Sequence, residues 1–138
     1  MARFSSFTAG LVTLIAALLS LGCGSGRQLQ SVTLSPASAD AQNFAGGQVS
    51  FSAVGTFSKP PSPDALTSKD VLWCVGSTTG SCAGNINPGV TVGQNGVAQC
   101  NSGFAGTVTI LAGTAPSLMM PDAGEQLKIF GAAQLTCP

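Results

Sequence analysis

The chain has no histidine and no tyrosine, a single tryptophan, and only five basic and five acidic side chains among 138 residues. Each shortage excludes something. Without histidine the usual general base at neutral pH is missing, so the many serine and threonine hydroxyls have no ordinary activator. The same lack removes the commonest nitrogen ligand for zinc. A net charge of zero leaves no basic surface to displace counterions from phosphates, so no nucleic-acid partner is expected. Beyond the first two dozen positions the residues that favour helices are thin. Gly, Ser, Thr, Pro and Val take their place, a mixture that fits short strands and tight turns. The length allows one ordinary domain.

Residues 1–22 read as a signal peptide. Arg3 supplies the positive end, and an uncharged, mostly apolar run extends from Leu11 to Leu21. That run is shorter than the roughly 20 apolar residues of a membrane-spanning helix. Small and polar residues begin abruptly at Gly22-Cys23-Gly24-Ser25-Gly26. The stretch Leu19-Ser20-Leu21-Gly22-Cys23 resembles the lipobox of bacterial lipoproteins. Gly22 and Cys23 match its two most constrained positions, whereas Ser20 and Leu21 depart from the usual Leu and small residue. The resemblance implies cleavage before Cys23 and a lipid on its thiol, so the partner is a membrane. Gly24, where an Asp would signal retention, implies the outer membrane. An ordinary secretory peptidase would cut the same bond and leave Cys23 unmodified.

Cysteine parity bears on the choice. The five cysteines are Cys23, Cys74, Cys82, Cys100 and Cys137. An odd number in an exported chain leaves one thiol over. A lipid on Cys23 lets the other four form two disulfides.

Residues 23–30 read as a flexible tether and residues 31–138 as one domain. From Ser31 the pattern has period two, the mark of strands with one buried face. Val32 and Leu34 alternate with Ser31, Thr33 and Ser35 before Pro36. Val49, Phe51, Ala53 and Phe57 form one face of a second strand. Residues 58–68, with Lys59-Pro60-Pro61-Ser62-Pro63-Asp64, read as a loop because proline cannot donate to a ladder. Val71, Trp73 and Val75 form the next inward face, and residues 76–89 form the longest loop. Val90-Thr91-Val92 and Val97-Ala98 flank Gln94-Asn95-Gly96, a hairpin signal because Asn-Gly accepts positive φ. Val108, Ile110 and Ala112 alternate with threonines, residues 116–124 form a loop, and residues 127–136 supply the last strand or two. About seven short strands with no helical period predict an all-β sandwich.

The run Val32-Thr33-Leu34-Ser35-Pro36, then 47–57, then Val71-Leu72-Trp73 resembles the bacterial immunoglobulin-like domain, group 2. So does the series Val90-Thr91-Val92, Asn95-Gly96-Val97 and Gly106-Thr107-Val108-Thr109-Ile110. The resemblance covers about residues 30–112, and behind a lipobox it is similar to single-domain lipoproteins of the acidobacterial type. It implies an immunoglobulin-like β-sandwich serving as a spacer or adhesive module. The four domain cysteines and the long 76–89 loop depart from the family pattern.

The domain cysteines read as disulfides, because exported cysteines pair and no Cys-x2-Cys spacing marks a zinc site. Four cysteines allow three pairings. The favoured one is Cys74–Cys82 with Cys100–Cys137. An inward Trp73, as in the sandwich tryptophan of that fold, turns Cys74 outward toward its own loop. Trp73 has a second reading as a sugar-stacking platform, and Met119-Met120 one as a soft metal pair. Asp40, Asp64, Asp70, Asp122 and Glu125 are too scattered for a calcium loop. Ser102-Gly103-Phe104-Ala105-Gly106 lacks the lysine and helix of a phosphate loop and reads as a turn. The expectation is therefore a non-enzymatic, lipid-anchored envelope domain without metal or cofactor. Its role would be structural or adhesive, toward an envelope or surface protein. The alternative is a module that binds polysaccharide.

Overall fold

The computed structural model describes residues 26–83, 89–117 and 123–138. Among these residues ten strands lie in two layers. In the first layer β1 (Leu29–Ser35) pairs antiparallel with β4 (Ser52–Phe57), whose other edge carries β5 (Asp64–Leu66). In the same layer β3 (Gln48–Ser50) pairs with β8 (Val97–Cys100), and β8 with β7 (Val90–Val92). Only Phe51 separates β3 from β4, so the two small sheets continue one another along a single chain path. The second layer has the order β2 (Ser38–Asp40), β10 (Phe130–Cys137), β9 (Gly106–Gly113), β6 (Leu72–Gly76). Within it only β2 runs parallel to its neighbour. The fold is an all-β sandwich.

Alternation places the core. Val32 and Leu34 of β1, Val49, Phe51 and Ala53 along β3–β4, Trp73 and Val75 of β6, Ile110 and Ala112 of β9, and Ala133 and Leu135 of β10 form one buried cluster between the layers. Their polar neighbours face out, as period two requires. At one edge β1 crosses close over β10. A Cβ added at Gly131 would lie 2.7 Å from the Val32 carbonyl oxygen, so only glycine admits that approach.

Several expectations change. The second strand is not continuous: at Phe51 the chain leaves both ladders, and its N–H donates to the Gly96 carbonyl at 2.9 Å. The 58–68 loop contains β5, which begins where the prolines end. The segment after Pro36 forms β2, a strand the sequence reading omits. The hairpin after β7 takes positive φ at Gly96 alone (φ 78°), not at Asn95. Its connection spans four residues, closed by the Gly93 N–H to the Val97 carbonyl at 2.9 Å. The domain also starts earlier than residue 31, since Leu29 and Gln30 already belong to β1.

Strand β6 is buried on both faces. Its outward residues Leu72 and Cys74 join Cys82, Leu111 and Leu127 in a second buried cluster. Segments 77–83 and 123–129 cover it. They are tied together by the Cys82 N–H to the Glu125 carbonyl (2.8 Å) and the Leu127 N–H to the Gly80 carbonyl (2.9 Å). Cys74 is bonded to Cys82 inside this cluster, with Cα atoms 5.7 Å apart. Cys100, at the end of β8, is bonded to Cys137, at the end of β10, with Cα atoms 5.9 Å apart. The first bond staples a loop onto the outer face of one strand, and the second joins the two layers. This is the pairing favoured from the sequence.

Loop-closure entropy ranks the two bonds. A closed loop with a separation of 37 residues outweighs one of 8. By the chain-entropy relation the values are about 4 and about 2.5 kcal/mol. Urea unfolding of Cys100→Ala with Cys137→Ala is therefore expected to show a loss of about 4 kcal/mol, larger than the loss from removing the other bond. Equal losses would mean that the layers are held by packing alone.

Candidate functional site

The break at Phe51 leaves a gap in the first layer. Between β5 and the β7–β8 turn lies a cleft of about 350 Å³. Phe51, Ala53, Leu66 and Trp73 form its apolar part, and Ser52, Thr67, Gln94 and Asn95 its polar part. Trp73 is only 3% exposed, so the indole is a core side chain whose edge reaches the cleft. A Cβ at Gly96 would lie 2.3 Å from the Phe51 carbonyl oxygen and 3.0 Å from the indole. Glycine is therefore what lets the turn sit against the tryptophan.

Gln94 does the most specific work there. Its carboxamide oxygen accepts from the Trp73 N–H at 3.0 Å, and its amide nitrogen donates to the Trp73 carbonyl at 2.9 Å. One side chain thus reproduces the pair of bonds a neighbouring strand would make. This matters because β6 is the last strand of its sheet. An open strand edge is a template for pairing with another chain. Further along the same strand, the Ala83 N–H donates to the Val75 carbonyl at 2.7 Å.

The charged groups serve turns and clamps. Asp70 accepts from the Thr67 N–H (2.8 Å) and the Thr67 hydroxyl (2.7 Å), closing the turn between β5 and β6. The Thr67 backbone bond is the main cause that holds its carboxyl below the usual pKa, helped by the hydroxyl and by Arg27 and Lys69. Asp40 accepts from the Gln42 N–H at 3.0 Å at the start of a 3-10 turn. The Arg27 guanidinium lies 3.4 Å from the centre of the Phe57 ring. It also bonds the Pro61 carbonyl and the Asp64 carboxylate, the latter at 2.9 Å. The neighbouring Gln28 backbone exchanges bonds with Ser58, at 3.0 Å to its hydroxyl and 2.9 Å from its N–H.

Among the described residues no three His, Cys, Asp or Glu side chains come together in a way that could hold a metal ion. The four domain cysteines are in disulfides. Cys23, Met119, Met120 and Asp122 lie outside the described residues. Ser102–Gly103 is a turn, with positive φ at Gly103. What the cleft offers is neutral: hydroxyls and carboxamides around an apolar floor. Gln94 and Arg27 are the residues that sequence reasoning missed. Neither belongs to a periodic pattern, and each acts across more than twenty residues of chain. No family model matches the chain, and no curated protein matches it in sequence.

Two measurements check the site. Gln94→Ala leaves the Trp73 N–H and carbonyl without their partner, an expected loss of about 1–3 kcal/mol in urea unfolding. Unchanged stability would show that solvent replaces the carboxamide freely. Because the Asp70 pKa is lowered on folding, its contribution is present above the unfolded value of 3.8 and is lost as pH falls through the folded value. Asp70→Asn is therefore expected to be less stable than the parent at pH 7, with the gap closing in acid.

Proposed function

We propose that this chain is an exported, lipid-anchored immunoglobulin-like domain of the bacterial cell envelope, with a structural or adhesive role and no catalysis. The observation that carries the fold part of this reading is strand order. Apart from the short β5 on the far edge of β4, one layer runs β1, β3–β4, β8, β7 and the other β2, β10, β9, β6. Taken as A, B, E, D against A′, G, F, C, this order supports the immunoglobulin arrangement, with Trp73 on strand C. An inter-layer disulfide is present here as in antibody domains, but it joins strands E and G, not B and F.

Two disulfides point to an oxidising compartment outside the cytoplasm. They also support the anchor. Both use domain cysteines, which leaves Cys23 no other cysteine of this chain to pair with. Its place behind an apolar run and a Gly is that of an acylated cysteine, and two acyl chains suffice for stable membrane binding. By the same resemblance Gly24 supports the outer membrane. The interaction surfaces would be strand edges and turns, through neutral hydrogen-bonding groups. Binding of polysaccharide through Trp73 is the weaker alternative, because a ring 3% exposed has no free face to stack on a sugar.

Intact mass of the membrane-extracted, unreduced protein tests this. The expected species begins at Cys23, carries acyl chains and has no free thiol. The Cys23→Ser variant is expected in the soluble periplasmic fraction. A chain beginning at Cys23 with a free thiol and no lipid would refute the anchor and leave export standing.

A further inference from the structure

The chain is locked onto the sandwich from Arg27 onward, by the guanidinium on Phe57, Pro61 and Asp64 and by the Gln28–Ser58 pair. Four residue steps separate Cys23 from Arg27. Fully extended, they span at most about 14 Å. Strand β10 has 8 residues, and a strand that long extends about 26 Å. A lipid on Cys23 therefore cannot reach from one end of the sandwich to the other.

The register says which end is held. Leu29 pairs with Phe57 at the start of β1. Gly131 lies under Val32, so the same end carries the start of β10, paired through Phe130 with Gly113. Ser58, after Phe57, and Thr114, after Gly113, thus share this pole. The opposite pole carries Cys137 beside Gly106, the bonded Cys100, and the 3-10 turns before β3. Phe44, between those turns, is 41% exposed.

We infer that the anchored domain stands with the Phe57 pole against the lipid surface and presents the Cys100–Cys137 pole away from it. The partner of the first pole is the bilayer that holds the domain's own acyl chains. This inference rests on the anchor reading for its setting. It has its own test, because the geometry applies to any lipid attached at residue 23.

Residues 23–138, oxidised, are coupled through the Cys23 thiol to a maleimide lipid in phosphatidylcholine–phosphatidylglycerol nanodiscs containing a gadolinium-chelating lipid. Paramagnetic broadening of backbone amides is then read by NMR. Several-fold stronger broadening is expected at Ser58 and Thr114 than at Asn43 and Ser102. A variant with ten Gly and Ser residues inserted between Gly26 and Arg27, whose tether can span the strand length, is expected to show a weaker gradient at unchanged fold. Equal broadening at both poles, or the strongest along one sheet face, would overturn the orientation. Because the lipid is attached chemically, that failure is distinct from failure of natural acylation, which the intact mass reports.

Discussion

Strand β6 is covered on both faces and, among the described residues, has no strand beyond its outer edge, and most of the less regular structure answers to that combination. Its inward residues Trp73 and Val75 complete the core between the layers. Its outward residues Leu72 and Cys74 are equally apolar, so the sheet needs a third layer at that point, and segments 77–83 and 123–129 supply it. The Cys74–Cys82 bond keeps one of those segments down. The edge is met separately, by the Gln94 carboxamide and the Ala83 N–H. A strand in such surroundings has hydrogen-bonding groups that water cannot reach, and an unpaired buried group costs more than a formed bond returns.

Cleft, charge and chemistry fit the same picture. The gap beside Phe51 exists because the strand path switches partners there, and the β7–β8 turn closes it from one side. Its lining is neutral. Asp40, Asp64 and Asp70 each hold a turn or a clamp together and do not converge on a pocket. With so few charges, the described surface offers chiefly shape and the hydrogen-bonding groups of amides and hydroxyls.

Much of this was legible in the sequence wherever a strand was long enough to show its period. Val32 and Leu34, Val49 and Phe51, Trp73 and Val75, and Ile110 and Ala112 all face the core as alternation predicts. The pairing of Cys74 with its own loop followed from the inward tryptophan. Strands β2 and β5 were not legible, because Ser-Ala-Asp and Asp-Ala-Leu carry no alternating pair of apolar residues and their pairing is decided by partners far along the chain. The outward burial of Leu72 and Leu111 was hidden for another reason: a β-strand apolar on both faces reads only as a run of apolar residues. The clamp by Arg27 lay beyond any local pattern, since the ring and carboxylate it binds come thirty and more positions later.

The bond between the layers also sets an order of events. Cys100 and Cys137 stand 37 positions apart on strands of different layers, so they come within bonding distance only once β8 and β10 have packed face to face. The Cys74–Cys82 staple spans 8 positions and needs only β6 and its own loop, a far smaller closure. Oxidation of this fold therefore runs from a locally stapled chain whose layers can still separate to a sealed sandwich, with assembly of the two layers as the condition for sealing.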